Sequence, residues 1–227
     1  MRVTSGASAS VYRSVSGVMD DAPSWVGSAL PVATEGGLVA LGLLLLWVWR
    51  AAVRGRDARG VAGAISVGAG TVAAYVVSEA LKLVVDEERP CFALSGVSAV
   101  TECPGAGDWS FPSNHAVLAA GIAAGLVVLR PRLSVVALPL AVVVALLRVV
   151  AGVHYPHDVV AGALIGATVA VTALLLVGPP VSWAVSSLFR REGGNGPGFV
   201  GPRGRRSAID PDAGGGFAER GSRSAGR

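Results

Sequence analysis

Three histidines, one lysine and two arginines fall into three short stretches at the ends of otherwise apolar segments. They are Lys82 … Arg89-Pro90, then Pro112-Ser113-Asn114-His115, then Arg148 … His154-Tyr155-Pro156-His157-Asp158. The chain has no other histidine or lysine. Lys82 and Arg148 lie in or beside apolar helices and are costly to hold there without an anionic partner. Guanidinium forks match the oxygens of a phosphate group in bidentate fashion. His154 and Asp158 stand four residues apart at a helix start where Pro156 takes the first helical position. A carboxylate so placed fixes one imidazole nitrogen and leaves the other free to attack phosphorus. His115 falls in the first turn of a helix opened by Pro112 and Ser113, placed to give a proton to a leaving oxygen. Ser113 is expected to cap that helix, with the backbone N–H groups near Asn114 turned toward the anion. Singly, these residues read as snorkelling cations and interfacial histidines; together they describe a phosphoryl-transfer site. His157 is a rival base. His154, His157 and Asp158 also have zinc-ligand chemistry, but the surrounding cations repel a divalent ion and no metal is expected.

The elements that must position these residues are membrane helices. Hydrophobic residues make up 52% of the chain and charged ones 15%, a composition outside that of soluble domains. The net charge of +4 comes from arginines in loops and tail; it marks topology and implies no nucleic-acid partner. Five apolar segments follow: Glu35 to Ala52, Val61 to Val85, Ala116 to Leu129, Leu133 to Val150 and Val159 to Val177. Each approaches the ~20 residues that cross ~30 Å of hydrocarbon, the third being the shortest. The predicted fold is all-α, a polytopic bundle of five crossings, or six if the N-terminal stretch also crosses. Arginines crowd the linkers 50–59 and 130–132 and the tail, which puts these on the cytoplasmic side. The acidic stretch 86–108 then lies outside, and all three motifs meet at that outer face.

Residues 1–32 are predicted to form an extracytoplasmic interfacial segment of one or two helices, residues 33–178 the transmembrane catalytic domain, and residues 179–227 a disordered Gly/Arg-rich cytoplasmic tail. Val11, Val15, Val18 and Met19 share a helical face, and Asp21-Ala22-Pro23 resembles the start of a further helix. No cleavable signal peptide is expected. Cys91 and Cys103 both fall in the outer loop, where a disulfide would hold Arg89-Pro90 near the site. Glu79 stands one turn before Lys82 and suits an ion pair with it. Gly121 with Gly125, and Gly162 with Gly166, are small-residue pairs that suit close helix contacts inside the bundle.

Lys-x6-Arg-Pro, Pro-Ser-x-His and Arg-x5-His-x3-Asp, in this order, resemble the signature of the type 2 phosphatidic acid phosphatase superfamily of membrane enzymes. The resemblance implies that His154 is the nucleophile forming a phosphohistidine, Asp158 its orienting partner and His115 the acid on the leaving group. Lys82, Arg89 and Arg148 would hold the phosphoryl oxygens, completed by Ser113 and the backbone at Asn114. It implies no metal or organic cofactor. Asn114 replaces the glycine common in Pro-Ser-Gly-His, and Leu147 replaces a serine that often precedes the arginine of the third motif. The five-crossing layout is similar to that of bacterial undecaprenyl diphosphate phosphatases of this superfamily. The expected partners are therefore the bilayer of a bacterial plasma membrane and a lipid phosphate. Undecaprenyl or polyprenyl diphosphate comes first, with phosphatidic acid or phosphatidylglycerol phosphate as alternatives. Nothing in the sequence sets an oligomeric state. A non-catalytic lipid-phosphate carrier needs the cations and has no use for an acid beside an oriented nucleophile.

Overall fold

The fold is that of a computed structural model, which describes residues 4–95, 99–105 and 107–194, with side chains to 191. Among these every regular element is helical: α1 Ala7–Met19, α2 Trp25–Arg54, α3 Ala58–Val85, α4 Pro90–Ala93, α5 Asn114–Leu129, α6 Ser134–Val150 and α7 Pro156–Gly194. A 3-10 turn, Pro131–Leu133, joins α5 to α6. The five apolar segments of the sequence appear as α2, α3, α5, α6 and α7. Four of these are long and apolar enough to cross a membrane; α5, at 16 residues, is the short one.

Helix boundaries follow local chemistry. Asp57 starts α3 by accepting a hydrogen bond from the Gly60 N–H at 3.0 Å, and Asp86, with φ 40°, ends it in a left-handed turn. Two boundaries depart from the sequence reading. The break expected between 32 and 33 does not exist, because α2 starts at Trp25 and runs unbroken through Pro31. The acidic pair Asp20 and Asp21 sits in the turn before it, so no polar group interrupts the helix at 32. At the other end, α7 continues past 178 through Pro179 and Pro180 to Gly194. A proline forfeits one intrahelical hydrogen bond, and two in a row did not suffice to stop this helix. The rest of the proposed tail, 195–227, lies outside the described residues.

A continuous core joins Leu41 and Val48 of α2, Ala119, Ala123 and Leu126 of α5, and Ala137, Ala141 and Val144 of α6. Helix α7 packs against α3 and α5 through small residues. A Cβ at Gly166 would stand 2.1 Å from the Val117 carbonyl oxygen, and one at Gly162 2.5 Å from that of Ser113. Gly125 meets Val67 in the same manner, so both glycine pairs serve contacts inside the bundle. Helix α1 lies across the α6–α7 turn: it buries Ala9, Tyr12 and Ser16 and exposes Val11 and Val18. The Tyr12 hydroxyl donates to the Gly152 carbonyl at 3.0 Å, and its ring stands 5.8 Å from that of Tyr155. The arginine-rich linkers gather at the opposite end, where Arg130 pairs with Asp57 at 3.1 Å and Arg56 stacks over Phe189 at 5.8 Å.

These contacts separate two glycine substitutions. Gly166→Ala would push backbone against backbone and is expected to destabilise the bundle by about 1–3 kcal/mol. Gly68→Ala on α3 meets nothing within 4 Å and should be neutral or stabilising by up to ~1 kcal/mol. Thermal unfolding of the two variants in detergent checks the pair.

Candidate active site

The α6–α7 turn places His154, and the first turn of α7 places Asp158; both are buried, Asp158 completely. His154 Nδ1 faces Asp158 Oδ2 at 3.4 Å. Its other nitrogen, Nε2, lies 3.1 Å from Arg89 Nη1. Arginine only donates, so Nε2 is the unprotonated nitrogen and Nδ1 carries the proton toward the carboxylate. Burial pushes the imidazole pKa down from 6.5 to about 4, against the upward pull of the Asp158 hydrogen bond. A neutral, oriented imidazole with a bare nitrogen at a guanidinium is able to attack an electrophilic centre held by that guanidinium.

Asp158 does more than orient His154. Its Oδ2 accepts from the Tyr155 N–H at 2.8 Å and from the Ser110 hydroxyl, while its carbonyl accepts from the Ser113 N–H at 3.1 Å. Ser110 went unnoticed in the sequence. It stands between the motifs with no chemical neighbour at a diagnostic spacing, and only the fold brings it to Asp158. The Ser113 side chain departs from expectation. It holds the N-cap position of α5 in extended conformation but makes no cap hydrogen bond, because its hydroxyl is buried inside the bundle. Ser113 Oγ and Arg148 Nε are buried donors without a hydrogen-bond partner among the described residues.

The cations are held by carboxylates. Arg89, almost fully buried, donates from Nε to the Asp108 carbonyl at 2.7 Å and from Nη1 to the Val153 carbonyl at 3.0 Å, and pairs through Nη2 with the Asp108 carboxylate at 3.0 Å. Lys82 pairs with Glu79 at 3.1 Å, as its spacing suggested, and lies 3.5 Å from the same Asp108 oxygen. Burial raises the Asp108 pKa, but the charges of Arg89 and Lys82 outweigh it and hold the carboxyl below its usual range. A single carboxylate oxygen thus bridges two cations. Arg148 lies within electrostatic reach of both His115 and His154.

His115 opens onto the same region from the first turn of α5, with Nε2 at 2.8 Å from Glu35 Oε1 of α2. Asn114 contributes through its side chain. Its Oδ1 accepts from the Ser78 hydroxyl at 2.7 Å and its Nδ2 donates to Glu79 at 2.6 Å. It therefore ties the start of α5 to the turn of α3 that carries Lys82, a link that glycine cannot make. His157 is engaged elsewhere, with Nε2 between Glu87 at 2.9 Å and Asp158 Oδ1 at 3.1 Å and Nδ1 at 2.7 Å from Ser8 Oγ. Glu87, His157 and Asp158 are the described residues spaced for a metal, their ligand atoms within 4.8 Å of one another; the set with His154 is not assembled. Of the two carboxylates, only that of Glu87 is hydrogen-bonded to the imidazole. Cys91 and Cys103 are joined in a disulfide, which ties the chain directly after Arg89-Pro90 to residue 103.

Comparisons with known proteins bear on the family and the fold. A sequence model of the PAP2 superfamily matches residues 63–180, just over half of the chain and every motif from Lys82 to Asp158. Over 104 residues the chain is 36% identical to the decaprenylphosphoryl-5-phosphoribose phosphatase of Mycobacterium tuberculosis, covering 45% of this chain and 54% of that protein. The chain thus spans about half the length of the curated relatives it matches. Among solved structures, LpxE of Aquifex aeolicus has the same fold, with a TM-score of 0.61, 21% identity, and coverage of 77% of this chain and 99% of that one. A transmembrane PAP2 type phosphatidylglycerolphosphate phosphatase from Bacillus subtilis aligns with a TM-score of 0.46 at 21% identity, over 80% and 86% of the two chains.

The depressed His154 pKa has a thermodynamic consequence. The unfolded imidazole takes a proton near 6.5 and the folded one only near 4, so acid favours the unfolded chain. The stability due to neutral His154 is complete above 6.5 and is lost as pH falls toward 4. Unfolding of wild type and His154→Gln between pH 7 and 4.5 should show a steeper loss in wild type, by about 2–3 kcal/mol over that range.

Proposed function

Since the chain belongs to the PAP2 superfamily, we propose that it is a lipid phosphatase that acts without a metal, through a phosphohistidine at His154. The observation that carries this reading is the pair of distances at His154: a carboxylate at 3.4 Å from one nitrogen and a guanidinium at 3.1 Å from the other. Nε2 attacks phosphorus, and the bond from phosphorus to the lipid oxygen breaks as the P–N bond forms. The departing oxygen takes a proton from His115. Neutral His115 then withdraws a proton from water, whose oxygen attacks phosphorus; the P–N bond breaks, its electrons return to His154 and inorganic phosphate leaves. Lys82, Arg89 and Arg148, with the Ser113 hydroxyl, hold the phosphoryl oxygens, and the carboxylate of Asp108 yields its place between Lys82 and Arg89 to one of them. Asp158 keeps the Nδ1 proton in place throughout.

The substrate we put first is a phosphomonoester on a polyprenyl-linked lipid of the decaprenylphosphoryl-5-phosphoribose kind, on the strength of the 36% identity to a phosphatase of that name. Polyprenyl diphosphate, favoured by the segment layout, is the second candidate, and phosphatidic acid or phosphatidylglycerol phosphate the third. The site is proposed to face outward from a bacterial plasma membrane. Arginines gather at the far end of the bundle, as cytoplasmic loops do, and the disulfide beside the site suits an oxidising compartment.

Purified protein in detergent with chelator should release phosphate from decaprenylphosphoryl-5-phosphoribose faster than from undecaprenyl diphosphate or phosphatidic acid. His154→Ala should lower this by about 10³-fold or more, and acid quench of wild type should trap phosphate on His154. Binding of lipid phosphate with no release from any of the three overturns the enzyme reading in favour of a carrier.

A further inference from the structure

Glu35 is the one ionisable residue of α2 between Trp25 and Trp49, on a helix otherwise made for lipid. An acidic side chain in such a helix is costly and is retained beside a partner. Its partner is His115, at 2.8 Å and eighty positions away in sequence. The Glu35 side chain is itself largely exposed, and the helix packing beside it brings the pair together. Two residues after Glu35, Gly37 lets α2 press onto α6, so closely that a Cβ there would stand 2.4 Å from Val144 Cγ2. Val144 lies one turn before Arg148, so the α2–α6 contact keeps Glu35 within electrostatic reach of Arg148.

We propose that Glu35 is the positioning residue of the general acid: its carboxylate accepts from Nε2–H of His115, fixes the ring and stabilises the imidazolium, leaving Nδ1–H as the proton given to the departing lipid oxygen. This rests on the assignment of His115 as the acid made above. The arrangement mirrors His154 with the nitrogens exchanged. There Nδ1 faces a carboxylate and Nε2 faces the phosphoryl group; here Nε2 faces the carboxylate. When the P–O bond breaks, the electron pair stays on oxygen, Nδ1–H moves to it, and the neutral ring left on Glu35 is the base for water in the second step.

An acid matters in proportion to how poorly the leaving oxygen bears charge, which gives a readout that a merely structural role would not move. The probes are dodecyl phosphate, which departs as an alkoxide, and 4-nitrophenyl phosphate, which departs as a stable phenolate. Glu35→Gln should lower kcat/KM for dodecyl phosphate by about 10-fold or more while changing 4-nitrophenyl phosphate by less than about twofold. Glu35→Asp should recover part of the loss. His115→Ala should show the same selectivity more strongly, and the double variant should fall no lower than His115→Ala alone. Equal losses of Glu35→Gln on both probes, or no loss on either, overturn the proposal while leaving His115 as the acid. Equal losses of His115→Ala on both probes overturn the acid assignment itself. Should Glu35→Gln fail to fold, Glu35→Asp decides: an unselective loss there also overturns the proposal.

Discussion

The arrangement hangs on one buried carboxylate. Asp158 has no exposed surface, and an isolated charge in that position would be strongly unfavourable. It is tolerable because donors converge on it from several parts of the chain: Nδ1 of His154, the hydroxyl of Ser110 and the N–H of Tyr155. Its own carbonyl holds the Ser113 N–H. The loop before α5, the start of α5, the α6–α7 turn and the start of α7 are thereby fixed to one residue. Satisfying Oδ2 and assembling the site are the same event, while Oδ1 makes no hydrogen bond among the described residues and lies 3.1 Å from His157 Nε2. The Ser110 N–H in turn holds the Glu87 carbonyl at 2.8 Å, which carries the order outward to Arg89.

Small side chains make this assembly possible in a bilayer. Between membrane helices, association comes from packing and interhelical hydrogen bonds, since lipid is as apolar as the helix faces. Gly162 lets the backbone of α7 approach the Ser113 carbonyl, and Gly166 does the same at Val117. The motif on α5 and the motif on α7 are therefore brought together by residues one and two turns below the chemistry. Helix α1 closes the turn from above through Tyr12 and Ser8, which reach Gly152 and His157.

Much of this was legible in the sequence, because the signals were chemical types at helical spacings. The five apolar runs gave five helices, and the His154–Asp158 and Glu79–Lys82 spacings gave contacts, since four and three residues are one turn. What escaped was everything decided by contact across distant segments. Ser110, Asp108, Glu87 and Ser8 have ordinary local surroundings and acquire partners only when the loop between α3 and α5 and α1 fold over the site. Asn114 was read for its backbone, whereas its side chain bridges α5 to α3. Helices also cross positions 32 and 178, where the sequence reading divided the chain. Helices α2 and α7 run on through Pro31, Pro179 and Pro180, as long membrane helices do.

The two arginines of the site differ in a way that bears on how it would hold an anion. Arg89 is fully engaged: two carbonyls, the Asp108 carboxylate and His154 Nε2 fix its fork in place before any ligand arrives. An anion that displaces Asp108 meets a guanidinium whose orientation is already determined, so little ordering entropy remains to be lost. Arg148, by contrast, has a buried Nε without a partner among the described residues. Leaving such a donor unmatched is unfavourable by about 1–3 kcal/mol, and that deficit is relieved by an oxygen placed in reach. Leu147, the departure from the resembled signature, thus falls beside the cation with spare hydrogen-bonding capacity rather than the one whose geometry is already fixed. In the reaction proposed above, the preset guanidinium would fix where phosphorus sits relative to His154, and the waiting one would reward its arrival.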